Sequence, residues 1–587
     1  MGKEEEKKAV MDPDMGSTGS PSDDFDDVHF TDNADGLHRR LNNRQIQLIA
    51  IGGSIGTALF VSIGTGLAKG GPGSLLLAFT LYPCVLALVN NSLAEMTVLY
   101  PVSGGFIRLA GHFVDDAVGF MAGWNFFLYE ALLIPFEISA LSTVMSYWSD
   151  KIADPGPTAG ICAGVIACYA ALNLLAVRGY GEAEFWLSGG KVILIFILFF
   201  FTFVTMVGGN PQHDAYGFRA WYEPSAFLEY LSTGPKGRFE GFLASLWSAS
   251  FAVVGPEYIS MVAAEAKRPR IYIKAAFKTV YYRFGLFFVG SALAVGIILS
   301  ARDKSLFQLV WPVKGGVGPI IGEPYPQEFM PKEGDQISGG AGAGASPYVI
   351  AMSNMGVNVL PHIVNALMLT SIFSAGNTYT YCATRSLYGL ALEGRAPRIL
   401  RKTTAAGVPI YCFCIVMVFP FLSFLSVSSS SYTVITWLSS LITAGGIIDY
   451  LVVSVTFLFY YSACKKQGLD RNSLPYTGWF QPYGAWIALI IQSIIVITYG
   501  YEVFRVPFTA EAFFKQYTMQ ILAPILFFGW KLIHRTKFVR PSQVDLVWER
   551  PIIDAYEARF TEPPVGFWRE ILALFGYKKA RVARIEG

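Results

Sequence analysis

Two short stretches carry groups suited to holding a small zwitterion. In Ile51-Gly52-Gly53-Ser54-Ile55-Gly56-Thr57, three glycines fall within five positions of an otherwise apolar run, and glycine weakens a helix by about 1 kcal/mol relative to alanine. In Ser250-Phe251-Ala252-Val253-Val254-Gly255-Pro256-Glu257, Pro256 removes a backbone donor and its ring opposes continuation of the helix. Both helices are therefore expected to break. A half-helix beginning near Gly53 to Thr57 offers free N–H groups and the positive end of its dipole to a carboxylate, while carbonyls released near Ser250 to Val254 suit an ammonium. Gly53, Ser54, Ile55, Gly56 and Thr57 on one side, and Ser250, Phe251, Ala252 and Val254 on the other, are the expected contacts of an α-amino acid.

Further polar groups stand in or beside the same apolar runs. Carboxylates inside a membrane are expensive and usually functional, which singles out Glu95, Glu137 and Glu257. Glu137 is expected to meet the substrate amine or to relay protons. Glu95 and Glu257 are expected to gate or to tether helices, paired with Arg108 or Arg283. Trp247, Phe251 and Trp437 are candidate lids and walls, with ordinary packing as the alternative, and Asn377 serves either the site or the helix bundle. Of six histidines, His362 and His534 come nearest the bilayer and sit at span ends. The sequence thus offers no metal centre, cofactor or enzyme active site.

The elements that position these groups are membrane helices. Hydrophobic residues make up 53% of the 587 and charged ones 15%, against about 25% charged in soluble domains, and the mean hydropathy is +0.42. Spans of roughly 20 apolar residues are predicted near 46–67, 74–99, 117–148, 159–177 and 184–207, then near 240–263, 281–300, 360–392, 409–427, 432–462, 484–502 and 517–534. Breaks in the first and sixth spans, at corresponding positions of two five-helix halves, point to an inverted-repeat transporter with substrate at the breaks. Backbone groups freed at that depth are tolerated only where they line a cavity or meet a ligand. Glycine also serves close helix packing, but the paired positions outweigh that reading.

An even number of spans puts both tails on one side. Basic clusters at Lys267, Arg268, Arg270, Lys274 and Lys278, at Arg395, Arg398, Arg401 and Lys402, and at Lys465, Lys466 and Arg471 mark that side as cytoplasmic. The net charge of +2 is spread over short loops and tails, which gives no case for nucleic acid. Residues 1–44 are read as a disordered cytoplasmic tail, residues 45–535 as the transporter domain, and residues 536–587 as a cytoplasmic tail. Within the last, a short amphipathic helix over 567–579 is expected, lying on the membrane or on the protein's own cytoplasmic face. No cleavable leader is recognised, and the glycine-rich run at 338–345 is expected to be external and flexible.

Ordered motifs make the chain similar to the fungal amino acid permeases of the amino acid, polyamine and organocation superfamily. They include Leu41-Asn42-Asn43-Arg44-Gln45-Ile46 before the first break, Tyr100-Pro101-Val102-Ser103-Gly104-Gly105-Phe106, Gly123-Trp124-Asn125 with Pro135-Phe136-Glu137, Gly255-Pro256-Glu257 with Glu265, Ser374-Ala375-Gly376-Asn377, and Glu393-Gly394-Arg395-Ala396-Pro397. The resemblance runs from about Leu37 to Phe575. It implies an all-α leucine-transporter-like fold of five plus five inverted-repeat helices and two more, and proton-driven import across the fungal plasma membrane. It also implies that Lys191 takes the place of a sodium ion in proton-coupled relatives, a role burial suits by lowering a lysine's pKa, with snorkelling to an interface as the alternative. Family behaviour further implies ubiquitin ligase machinery as a partner at Lys3, Lys7 and Lys8. The chain departs from the usual pattern at Gly255-Pro256-Glu257-Tyr258 and at Phe459-Tyr460-Tyr461. Carnitine-like compounds and polyamines therefore stand beside amino acids as substrates, and a non-transporting nutrient sensor of the same fold stands beside the transporter.

Overall fold

The computed structural model describes residues 39–174, 177–311, 318–330, 346–404, 407–428, 431–560 and 563–574. Lys3, Lys7 and Lys8, the glycine-rich run at 338–345 and the end of the expected 567–579 helix lie outside the described residues.

The first span starts with a capping box, in which Asn42 and Gln45 satisfy each other's backbone N–H groups. Helix Asn43–Ser54 ends at Ile55, which is extended. Helical backbone resumes at Thr57, passes through a wide turn at Ala58–Ser62 and runs on to Gly71. There φ is +80° and a Cβ would stand 2.7 Å from the Ala226 carbonyl oxygen, so glycine is required where the chain swings into the second span. That span ends at Leu99. The third to fifth spans are Asp116–Met145, Pro155–Leu174 and Val177–Met206. The sixth is Gly234–Ala252, an irregular turn through Gly255 at φ +148°, and Pro256–Val262. Pro269–Ile298, Leu360–Leu392, Ile410–Val427, Ser431–Gln467, Tyr483–Thr498 and Ala510–His534 complete the bundle.

Among the described residues, eight helices are long and apolar enough to cross a membrane. The remaining crossings are the broken first and sixth spans, and the eighth and twelfth, whose apolar character is diluted by Asn365, Asn377 and Arg385 and by Lys515, Gln520 and Lys531. Both expected breaks are present. Two short helices, Gly105–Phe113 and Arg550–Ala558, were not expected, and Leu41 and Asn43, read as part of the tail, are buried.

The basic loops share one face, and a late segment lies across it. Arg270 bonds Asp554, Arg108 bonds Glu549 at 2.9 Å and Glu393 at 2.5 Å, and Glu570 accepts the Arg44 N–H at 2.7 Å. His112 donates to the Asp545 carbonyl at 2.8 Å and stacks on Trp548 at 4.1 Å. Burial there holds the imidazole below its ordinary pKa, outweighing the opposite pull of the Asp545 carbonyl and carboxylate. Beneath this strap, Leu41 exchanges backbone bonds with Glu265 and Lys267 at 2.9 and 3.0 Å, joining the start of the first span to the end of the sixth. On the opposite face Lys69 reaches Glu502 at 3.4 Å, Tyr230 donates to the same carboxylate at 2.9 Å, and Leu231 pairs with Ile320.

Candidate substrate site

The helix ends dictate where polar groups are needed. Termination at Ser54 leaves the carbonyls of the last turn without helical partners, and the restart near Thr57 leaves N–H groups in the same condition. The fifth span answers the first need. Lys191, fully buried, donates from Nζ to the Ile55 carbonyl at 2.7 Å and to the Gly52 carbonyl. Its ammonium therefore sits where a small cation would be held by the same oxygens. The third span answers the second need: Glu137 accepts from the Thr57 N–H at 3.3 Å and from the Thr57 hydroxyl.

A narrow cavity lies beside these contacts, lined by Ser54, Gly56, Glu137, Phe251, Ala252 and Val254 together with Ala58, Tyr129, Leu133, Phe136 and Tyr379. Phe136 meets Phe251 edge-on at 5.4 Å. A Cβ at position 56 would stand 2.6 Å from Glu137 Oε1 and 2.8 Å from the Ala375 Cβ, so only glycine admits the carboxylate here. A polar floor of helix termini and one carboxylate under aromatic walls can hold a small molecule bearing a cationic head and an apolar side.

The expected contacts divide accordingly. Ser54, Gly56, Glu137, Phe251, Ala252 and Val254 line the cavity. Thr57 contributes through Glu137, and Ile55 through Lys191. Gly53, Ser250 and Asn377 do not line it. The Gly53 carbonyl accepts from Tyr379 at 3.1 Å, and a Cβ at 53 would stand 2.8 Å from the ring of buried Tyr258. Ser250 turns its hydroxyl back to the Trp247 carbonyl at 2.9 Å, a helical bond one turn down. Asn377 faces the fourth and fifth spans, taking a bond from Asn173 at 2.8 Å and giving one to Glu184 at 3.3 Å.

The gating expectations need two corrections. Glu95 pairs with Arg471, at 2.8 and 2.6 Å, and accepts the Gly478 N–H at 2.7 Å, so it pins the loop after the tenth span. Arg108 is held instead by Glu393 and Glu549. Glu257 turns back on the break, accepting from the Gly255 N–H at 3.2 Å and from Tyr450 at 2.9 Å, whereas Arg283 bonds Gln47 at 2.7 Å. Trp247 stands toward the Lys69 face against Tyr499 and Tyr501. Trp437 is 37% exposed under Lys515 and forms no wall.

The sequence reading missed Tyr129, Leu133, Phe136 and Tyr379, whose types recur throughout an aromatic-rich chain, and Glu184. The carboxylate of Glu184 is a polar signal of the same kind as Glu137, overlooked because it stood at the expected start of its span.

Substitution of Gly53 is expected to act on folding before it acts on binding. Gly53→Val forces the buried Tyr258 ring to shift, at a cost of about 1–3 kcal/mol. A lowered thermal midpoint in detergent, partly restored in the Gly53→Val/Tyr258→Leu pair, is the expected outcome. An unchanged midpoint with weakened substrate binding would instead make Gly53 a contact.

Residues 45–542 match the family described as amino acid permease. The chain is 42% identical over 540 residues to the general amino acid permease AGP2 of Saccharomyces cerevisiae, covering 90% of this chain and 85% of that protein. It is 36% identical to a proline-specific permease of Emericella nidulans, covering 88% and 89%, and 33% identical to the dicarboxylic amino acid permease of Saccharomyces cerevisiae, covering 89% and 81%. Among solved structures, a manganese transporter mutant of Eremococcus coleocola superposes with a TM-score of 0.50 at 13% identity, covering 88% of this chain and 94% of that one, a likeness of fold alone.

Proposed function

This chain belongs to the amino acid permease family, and from that premise we propose that it imports amino acids across the plasma membrane by proton symport with alternating access. The basic face is cytoplasmic in this reading, with both ends of the chain on that side. The observation that carries the coupling is Lys191 seated on the Gly52 and Ile55 carbonyls. As an ammonium it ties the fifth span to the first half-helix with charge-assisted bonds; as a neutral amine it holds that half-helix less firmly. Loading the lysine from the outside and emptying it to the inside therefore alternates the grip on an element that must move for the cavity to change sides. Substrate binding reinforces the loaded state, because an ammonium in the cavity finds Glu137 and the carbonyl end of the sixth-span half-helix, while Phe136, Phe251 and Tyr129 enclose its apolar part.

A second reading concerns the substrate. Glu137 already holds the Thr57 N–H that would receive a substrate carboxylate, which favours amines that carry no carboxylate, such as polyamines. Uptake of labelled neutral, acidic and basic amino acids, proline, carnitine and spermidine, in cells without their own permeases, separates the readings. Amino acid accumulation that is stronger at acidic external pH and collapses with a protonophore supports the proposal. Accumulation of spermidine alone moves the substrate to amines without a carboxylate, accumulation of carnitine alone contradicts the exclusion of a substrate carboxylate, and no uptake with protein at the surface replaces transport by sensing.

A further inference from the structure

Glu184 is a second buried carboxylate beside the first break, after Glu137, and the mechanism above leaves it unused. Its side chain is fully buried. The carboxylate accepts from Ser188 at 2.8 Å, from Ser374 and from Asn377 at 3.3 Å. Its place is made by Gly52, where a Cβ would stand 2.2 Å from Glu184 Oε1. Lys191 holds the carbonyl of the same glycine. Glu184, Ser188 and Lys191 follow one another at i, i+4 and i+7, a single face of the fifth span.

The groups around Glu184 leave Lys191 as its cationic counterpart. Serine and asparagine come from the eighth span and Gly52 from the first, while Asn173 of the fourth span stands behind Asn377. Glu137 lies across the break on Thr57. Arg44, on the basic face, is taken up by Glu182, which is 37% exposed. Glu184 thus lies about 3 Å along the helix axis from a residue that meets solvent, and Lys191 about 10 Å deeper.

We propose that Glu184 receives the proton released by Lys191 and passes it to the cytoplasmic side, an inference that rests on the proton-symport reading. Lys191 gives up a proton and Glu184 takes one up, with Ser188, a donor to Glu184 on the same helix face, standing between them in the helix, so an ammonium and a carboxylate become an amine and a carboxylic acid. The pair has zero net charge before and after, which spares the interior an uncompensated charge. The acid then loses its proton to water on the basic face and the carboxylate is restored. Lys191 is emptied without crossing the substrate cavity, so substrate and proton leave by different routes.

The test uses the full chain in proteoliposomes, comparing substrate exchange at equal pH with uptake driven by a pH gradient. Glu184→Gln is expected to exchange substrate near the wild-type rate while gradient-driven uptake falls by about 100-fold or more, the contribution of a positioned proton-transfer group. Glu184→Asp is expected to recover part of the driven uptake. Ser374→Ala removes a donor to the carboxylate and is expected to slow driven uptake while exchange continues. Driven uptake by Glu184→Gln equal to wild type, or exchange and driven uptake lost together in that variant, overturns the relay. Failure of the wild-type protein itself to move protons with substrate overturns the symport reading instead.

Discussion

Replacing Lys191 by methionine is expected to lower proton-driven accumulation by about 100-fold or more while the protein still reaches the cell surface. Methionine fills the lysine's volume but donates nothing, so the Gly52 and Ile55 carbonyls lose their partner. Each buried orphan costs about 1–3 kcal/mol, and the break becomes looser as well as unable to carry a proton. Lys191→Arg separates these effects: arginine keeps the carbonyls bonded and stays charged. It should retain exchange and lose net accumulation. Undiminished accumulation in the methionine variant removes Lys191 from the mechanism, and equal loss of exchange and accumulation in the arginine variant reduces it to a structural brace.

Glu137→Gln should produce the second large effect, concentrated in affinity. The carboxylate accepts from both the N–H and the hydroxyl of Thr57 and faces the cavity; a glutamine keeps one acceptor oxygen and brings a competing donor. Loss of a charge-assisted contact to a substrate ammonium, worth about 1.5–3 kcal/mol, corresponds to a rise in KM of roughly 10- to 150-fold. Initial-rate kinetics at fixed pH are the measurement. An unchanged KM with a lowered thermal midpoint would show that Glu137 caps the half-helix and does not read the substrate.

Local chemistry was legible in the sequence and partnership was not. Gly52, Gly53, Gly56 and Pro256 announce the breaks because their backbone effects are intrinsic to the residues, and both breaks occur as expected. Lys191 was found through motif context, while the two carbonyls it bonds, of Gly52 and Ile55, were not legible in the sequence. Glu95 gave its expense away but not its partner: Arg471 lies 376 residues on, farther in sequence than Arg108 or Arg283. Asn377 was assigned between site and bundle, and only the rotation of its helix decides for Asn173 and Glu184. Rotation also selects Tyr129, Phe136 and Tyr379 from many aromatics. The eighth and twelfth spans were recognised although polar residues weaken their apolar signal, because their length remained.

The strap across the basic face also sets a timetable for biosynthesis. Glu549, Asp554 and Glu570 follow every span in chain order, and the arginines they meet, Arg108, Arg270 and Arg44, belong to the loops and the leading edge made far earlier. Chains emerge from the ribosome amino end first. The bundle is therefore inserted before its basic face has its full set of ion pairs, and that face reaches its final form only after the last crossing has been synthesised. A quality-control factor that reads those arginines would distinguish a newly inserted bundle from a finished one.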